Sequence, residues 1–189
     1  MKLKMIKNLF EIPVFIGDID VDKIKLKKIN FEKTWLSKTN STYKNTKDED
    51  ILNVIEKDSV IYLLNILAKL LEEKIEERFE ISLLNIWENV YSDNDFQEPH
   101  IHAKSDYSFI IYKEVEKDGG KTVFLNPNRN VMESFTNIHH HFQNIFKPSC
   151  NKGQVIIFPS FLEHMVLKTS NQHTISGNLK FDTIKMSGE

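Results

Sequence analysis

Residues 153–166 read GQVIIFPSFLEHMV, an apolar run followed by a proline turn and a histidine that opens a second apolar run. Residues 100–115, HIHAKSDYSFIIYKEV, are also rich in β-branched and aromatic residues in short runs. Such runs are typical of β-strands, and glycine, asparagine and proline residues separate them as turns. Many short strands with regular turns indicate a sandwich or barrel rather than βαβ units.

The N-terminal part of the chain has a different pattern. Around residues 10–16 apolar and polar residues alternate, which is the period of a half-buried strand. Residues 48–57 and 58–79 are predicted to be helical. In the second of these segments leucines recur at spacings of three and four, which places them on one face for packing against a core.

The length of 189 residues fits a single domain with one core. We predict one domain over residues 1–189, in which an N-terminal strand and helices in residues 1–80 pack on a β core in residues 81–185. The predicted fold class is therefore mainly β with N-terminal helices, and the architecture is a double-stranded β-helix, or jelly roll.

Composition excludes several functional classes. Lys and Arg number 25 against 27 Asp and Glu, a net charge of −2, so the chain offers no cationic surface for nucleic acid. The single cysteine, Cys150, excludes an internal disulfide framework and a cysteine-based zinc site. No apolar run approaches the roughly 20 residues of a membrane span. We expect a cytoplasmic protein with neither nucleic acid nor a membrane as partner.

Three histidines have the spacing of a metal site. His100 and His102 lie two apart, and on a strand their side chains face the same side about 7 Å apart along the chain. His164 follows a proline turn at the start of a late strand, which a jelly roll folds beside the early strand. Two ligands from one strand and a third from another leave coordination positions open, as an oxygen-activating non-haem iron requires.

Two segments resemble a known family. His100, His102, Ser105, Ser108 and Tyr112 resemble the HxHxxSxxSGxxY segment of a family of 2-oxoglutarate- and Fe(II)-dependent oxygenases. The segment GQVIIFPSFLEH resembles their G-x-hydrophobic-FPS-x-x-x-H segment. The resemblance implies an oxidoreductase, a dioxygenase that uses O₂ with Fe(II) and 2-oxoglutarate as cofactors. It also implies iron binding by His100 and His164, with His102 where most such enzymes carry Asp or Glu.

The third ligand is the first departure from the family pattern, because a histidine there removes a negative charge. Asp106 is the nearest carboxylate that could replace His102. On a continuous strand it would lie about 13 Å from His102, so a bulge or turn would be needed. We therefore favour His102 over Asp106.

The second departure is the missing arginine after His164, since the family usually binds the far carboxylate of 2-oxoglutarate with its guanidinium. Alignment with the family puts Gln172 at that position and Thr174 where Ser or Thr is common. We predict that these two residues meet the outer carboxylate, with Tyr112 or Ser108 assisting. The lost charge has candidate replacements in Lys168, Lys180 and His173; otherwise the cosubstrate is not 2-oxoglutarate.

Three functions remain open. The leading hypothesis is a dioxygenase that hydroxylates a small molecule or a peptidyl side chain. A cupin-like metal enzyme without 2-oxoglutarate is the second, because Gly153, Pro159 and His164 have the spacing of a cupin's second motif, whose glutamate would fall near Asp106 or Tyr107. A non-catalytic binding module on the same fold is the third, and the missing arginine supports it.

Other conspicuous residues have simpler explanations. Residues 139–141 are three consecutive histidines, of which at most two could face one side of a strand, so we expect a solvated polar segment. Cys150 lies in a turn without a neighbouring base and is expected to have no chemical role. Trp87, near the HxH strand, is expected to pack in the core or line the pocket.

Overall fold

Two antiparallel sheets form the framework of the protein. The computed structural model describes residues 11–73, 75, 79–92, 94–135 and 143–183. The strands of the described chain are β1 Phe15–Asp18, β2 Glu32–Thr34, β3 Thr39–Ser41, β4 Phe79–Tyr91, β5 Asp95–His100, β6 Tyr107–Glu114, β7 Thr122–Leu125, β8 Ile145–Phe146, β9 Gln154–Pro159, β10 His164–Thr169 and β11 Gln172–Thr183. The α-helices are α1 Tyr43–Thr46, α2 Ile51–Val54, α3 Lys57–Glu72 and α4 Arg129–Phe135, and Val21–Lys23 form a 3₁₀ turn.

The larger sheet has seven strands in the order β1-β9-β6-β11-β4-β3-β2, and the smaller has four in the order β5-β10-β7-β8. The central strands of the larger sheet are buried on both faces, which explains their continuous apolar runs. On β6, Phe109 and Ile111 pack in the core beneath the helices, whereas Ile110 and Tyr112 pack in a second core with Phe124 of the smaller sheet. The predicted mainly β jelly roll is confirmed.

Helix α3 covers the outer face of the larger sheet. Leu63, Leu67 and Leu71 are each four residues apart, so they lie on one face, and all three are fully buried in the first core. The leucine pattern therefore identified the packing face correctly. The helix ends at Glu72, earlier than the predicted 58–79, because strand β4 already begins at Phe79.

The N-terminal 80 residues contribute more sheet than the sequence analysis expected. The strand predicted around residues 10–16 is β1, which pairs with β9. Two further strands, β2 and β3, are three residues each and extend the sheet beyond β4. Strands this short carry no usable hydrophobic period. Residues 48–57 were predicted to be helical, but the helix that lies wholly within them is the single turn α2.

Candidate metal centre

Three histidine side chains converge where the small sheet ends. His164, the first residue of β10, lies directly opposite His100, the last residue of β5, in the antiparallel pairing of the two strands. His102 follows after the strand has ended, and its backbone N–H donates to the Ser160 carbonyl at 2.9 Å. The potential ligand atoms of the three histidines lie within 4.8 Å of one another. The site therefore forms by a turn of the chain after His100 rather than on a continuous strand.

Backbone acceptors fix the rings of His100 and His164. The Nδ1 of His100 is 2.8 Å from the Glu98 carbonyl oxygen, and the Nδ1 of His164 is 3.0 Å from the Leu162 carbonyl oxygen. A carbonyl can only accept, so each Nδ1 carries the proton and donates it. The Nε2 of each ring therefore keeps the lone pair that a metal ion needs, and at His100 the Gln97 amide nitrogen lies 3.3 Å from it as a donor.

A buried polar network fixes His102 in the same way. Its Nδ1 is 2.6 Å from Asn178 Oδ1, and Asn178 Nδ2 donates to Asn85 Oδ1 at 2.9 Å. That second bond orients the amide, so the oxygen of Asn178 faces the imidazole and accepts its proton. Ser108 Oγ lies 2.7 Å from Asn178 Oδ1 and 2.9 Å from the Nδ1 of His102. The amide of Asn178 thus stands where a carboxylate often orients a ligating histidine.

Asn178 was missed by sequence reasoning. Its role depends on the pairing of β11 with β6, in which Asn178 lies opposite Ser108. No local pattern in the sequence reports that register. Trp35 was also missed: its ring stacks on His100 at a centroid distance of 5.8 Å, and its backbone is left-handed at φ 66°. A tryptophan in that conformation is uncommon and is held here by the tight turn between β2 and β3.

Burial keeps all three imidazoles uncharged. Removal from water lowers the pKa of His102 to about 4, and the hydrogen bond to Asn178 opposes this only in part. Burial likewise lowers the pKa of His100, and it lowers that of His164 well below its usual value. Neutral imidazole is the form that binds a metal ion. The cluster is therefore in its ligating state at neutral pH.

Asp106 does not join the histidines. Its carboxylate lies 3.0 Å from Lys180 Nζ and accepts the Phe181 backbone N–H at 2.8 Å. The backbone hydrogen bond from Phe181, with help from Lys180, lowers the pKa of Asp106. In the part of the chain that the structure describes, the ligand cluster contains histidines alone. The structure thus brings His102 rather than Asp106 to the other two, and the carboxylate expected of a cupin-like site is not among them.

A narrow pocket opens beside the histidines. Opposite pairs of residues on β4 and β11 form one wall in three successive steps, and the lining residues are Trp87, Asn89, Tyr91, Gln97, His100, His102, Ile110, Thr122, His164, Val166, Gln172, Thr174 and Ser176. Gln172 and Thr174, predicted for the cosubstrate, line this pocket together with Trp87. The pocket is uncharged apart from any metal, since none of its lining residues is lysine, arginine, aspartate or glutamate.

Tyr112 and Ser108, which were predicted to assist in cosubstrate binding, have other contacts. The side chain of Tyr112 is completely buried in the second core, and its hydroxyl donates to Thr122 Oγ1 at 2.7 Å. Thr122 is the pocket residue, and Tyr112 positions it. Ser108 lies behind the His102 ring, as described above. Both residues were predicted to assist because their strand follows the histidine pair. Proximity of the strand does not determine which neighbour each side chain contacts.

The cations considered as replacements for the arginine are engaged elsewhere. Lys180 pairs with Asp106, and His173 lies 2.9 Å from a Glu88 carboxylate oxygen. Lys168 is exposed on β10. Lys121, which adjoins Thr122, directs its ammonium to the Asp118 carboxylate. Lys180 and His173 are therefore already paired with carboxylates, and none of the three residues lines the pocket beside the histidines.

Several buried polar atoms of the pocket have no hydrogen-bond partner within the described chain. They are Trp87 Nε1, Asn89 Oδ1 and Gln172 Nε2. Buried polar groups are usually paired, because leaving one unpaired costs about 1–3 kcal/mol. The pocket thus fits a polar ligand next to the histidines, and the histidine nitrogens fit a divalent transition metal.

The remaining predictions have simpler outcomes. Residues 139–141 lie outside the described residues. Cys150 is buried, and burial raises the pKa of its thiol to about 11, so it carries no thiolate at neutral pH. In the described chain we find no helix of the length and apolar character that a bilayer crossing requires.

Comparison with known proteins finds a similar family. Residues 85–177 match the model of a family described as "Putative 2OG-Fe(II) oxygenase", and the matched segment contains all three histidines. Over this segment, just under half of its length, the chain resembles that family. The predicted resemblance to this oxygenase family is confirmed. No curated protein matches the chain.

Solved structures of other proteins resemble its fold. The epimerase SnoN from nogalamycin biosynthesis matches with a TM-score of 0.52 at 12% identity, over 75% of this chain and 60% of that one. A Pseudomonas putida prolyl-4-hydroxylase matches at 12% identity over 87% and 77%, with a TM-score of 0.46. A Burkholderia pseudomallei oxygenase matches at 15% identity over 66% and 51%, with a TM-score of 0.43. The chain thus spans between half and two thirds of the SnoN and Burkholderia proteins.

Proposed function

We propose that the protein is an Fe(II)- and 2-oxoglutarate-dependent dioxygenase that hydroxylates a small molecule or a peptidyl side chain. His100, His102 and His164 are the iron ligands. The observation that carries the proposal is the convergence of three neutral imidazoles within 4.8 Å, each with its Nδ1 already hydrogen-bonded to an acceptor. Each ring therefore has only Nε2 left to offer a metal.

A three-histidine set leaves coordination positions for a bidentate 2-oxo acid and for O₂. Bound Fe(II) would supply the redox chemistry in which O₂ hydroxylates a substrate C–H bond while 2-oxoglutarate is converted to succinate and CO₂. The chain itself orients the ligands and excludes water from them. Trp35 covers His100, Trp87 lies 5.6 Å from His102, and Phe158 lies 4.7 Å from His164, each measured between ring centroids.

The cosubstrate is assigned to the uncharged pocket beside the histidines. Thr174 and then Gln172 lie along β11 at increasing distance from Asn178, the residue that holds His102. Both are buried and line the pocket, and Thr122 faces them from the smaller sheet. A 2-oxo acid that chelates the metal would extend its distal group toward these side chains.

Anaerobic calorimetric titration of the Mn(II)-loaded protein with 2-oxoglutarate tests the proposal. We expect saturable binding in the presence of Mn(II) and none in its absence, since the 2-oxo acid is held through the metal. Gln172→Ala and Thr174→Ala should weaken that binding. Metal binding without any binding of 2-oxoglutarate at millimolar concentration would favour the cupin-like enzyme, and no metal binding would favour the non-catalytic module.

A further inference from the structure

The far end of the pocket recognises its ligand without charge. Along the wall formed by β4 and β11, Asn89 lies opposite Thr174, and Tyr91 lies opposite Gln172. All four are at most 2% exposed. The lysines and the histidine nearest in sequence bind carboxylates elsewhere or face solvent, as described above. A ligand group that reaches this end of the pocket therefore meets only neutral dipoles.

The orientation of Gln172 is fixed by the backbone. Its Oε1 accepts the Lys121 N–H at 2.9 Å, so the amide nitrogen must occupy the other position. That nitrogen, Nε2, is buried and has no partner in the described chain. The pocket thus holds one hydrogen-bond donor with a defined direction and with nothing to receive its protons.

Asn89 provides the complementary group. Its Oδ1 is buried without a partner and lies one step along the same wall from Gln172. The hydroxyl of Tyr91, which adjoins both, already donates to Gln97 Oε1 at 3.0 Å. Within the described chain this wall therefore keeps two unpaired donors, Gln172 Nε2 and Trp87 Nε1, and one unpaired acceptor, Asn89 Oδ1.

A distal carboxylate would leave Asn89 Oδ1 without a partner. It can accept from Gln172 Nε2, but it has no proton for Asn89 Oδ1, and burying its charge without a cation is costly. A carboxamide can do both, because its oxygen accepts from Gln172 while its nitrogen donates to Asn89. Sites with buried donors and acceptors discriminate strongly against ligands that leave them unpaired.

We infer that the protein accepts a 2-oxo acid whose distal group is an uncharged carboxamide and binds it at least as tightly as the corresponding carboxylate. The inference rests on the proposed function, because it assumes that a 2-oxo acid chelates a metal held by the three histidines. In this arrangement hydrogen bonds with Gln172 and Asn89 take the place of the charge that the missing arginine would supply.

The test compares two inert analogues on the Mn(II)-loaded full chain. N-oxalylglycine ends in a carboxylate, and N-oxalylglycinamide differs from it only by the distal amide. We expect the amide to have a dissociation constant equal to or below that of the carboxylate. Gln172→Arg should reverse the order and favour N-oxalylglycine by at least about 10-fold, because it installs a charge-assisted pair. Gln143→Arg, at an exposed position, is the control for added charge and should change neither constant.

Each remaining outcome has a defined meaning. Tighter binding of N-oxalylglycine to the wild-type protein, by about 10-fold or more, would overturn the carboxamide inference while leaving the proposed function intact. Failure of both analogues to bind a protein that holds Mn(II) would overturn the proposed function and this inference together. The wild-type comparison decides the matter even if Gln172→Arg fails to fold.

Discussion

The two ends of the pocket differ in how many of their polar side-chain atoms have hydrogen-bond partners within the protein. At the metal end, each histidine Nδ1 has an acceptor at 3.0 Å or less, so the rings are oriented before any metal arrives. At the far end, Gln172 Nε2 and Asn89 Oδ1 are buried without partners. The metal end is preorganised by the fold, whereas the far end keeps polar groups that the described chain itself does not pair. Substitutions at the first should therefore change metal affinity, and substitutions at the second should change cosubstrate affinity.

The largest effect is expected from removing a ligand at the metal end. His164→Ala should weaken Mn(II) binding by at least about 100-fold, because two of the three protein ligands remain and the strand pairing no longer presents a third. Equilibrium dialysis with metal analysis measures this directly. His173→Ala is the matched control, since His173 pairs with Glu88 away from the pocket, and it should leave metal content unchanged. Equal metal content in His164→Ala and wild type would refute the ligand set.

The next largest effect concerns the residue behind His102. Asn178→Leu removes the acceptor that orients the ring, and losses of outer partners of this kind typically reduce metal affinity about 10- to 100-fold. Asn178→Asp should restore or exceed wild-type affinity, because a carboxylate accepts the same proton more strongly. Asn128→Leu, at an exposed position, is the control. If leucine and aspartate at residue 178 weakened Mn(II) binding equally, His102 would not depend on this hydrogen bond.

A smaller effect should appear in the pH dependence of stability. Burial lowers the pKa of His102 to about 4 in the folded protein, whereas the unfolded chain takes up the proton near about 6.5. Between those values the unfolded state binds more protons, so the free energy of unfolding decreases as pH falls. For His102 alone the loss between about pH 7 and about pH 5 should be about 2 kcal/mol.

Urea unfolding of the metal-free protein at the two pH values measures this loss. His102→Gln removes the titrating group while keeping a hydrogen-bond donor, and its unfolding free energy should fall less over the same interval. The difference between the two proteins isolates His102 from the carboxylates, which titrate in both. An identical decrease in both would mean that His102 is not held neutral by the fold.

The residues at the two ends of the pocket were not equally predictable from the sequence. The three histidines were predictable because residue type, spacing and the order of strands in a jelly roll were enough to bring them together. Gln172 and Thr174 followed from the family alignment. Asn178 could not be predicted, because only the register of β11 on β6 places it behind His102. The ion pair between Lys180 and Asp106 could not be predicted either, because it depends on the course of the chain between β5 and β6.

The fold was predictable to a similar depth. Apolar runs and turns identified β4, β6, β7, β9, β10 and β11 but not β5 or β8, and the leucine spacing identified the buried face of α3. The three-residue strands β2 and β3 left no period in the sequence, yet the turn between them carries Trp35 onto His100. Long-range pairing of short segments is set by tertiary packing, which local propensity does not report.

The most direct test of the central claim is the visible spectrum of the protein with Fe(II) and 2-oxoglutarate under anaerobic conditions. A 2-oxo acid chelated to protein-bound Fe(II) gives a charge-transfer band, so the band reports metal and cosubstrate together. We expect the band in the wild-type protein at millimolar 2-oxoglutarate, its persistence in His173→Ala and its loss in His164→Ala. A wild-type protein that binds Fe(II) without developing the band, or a band of equal strength in His164→Ala, would contradict the three-histidine oxygenase site.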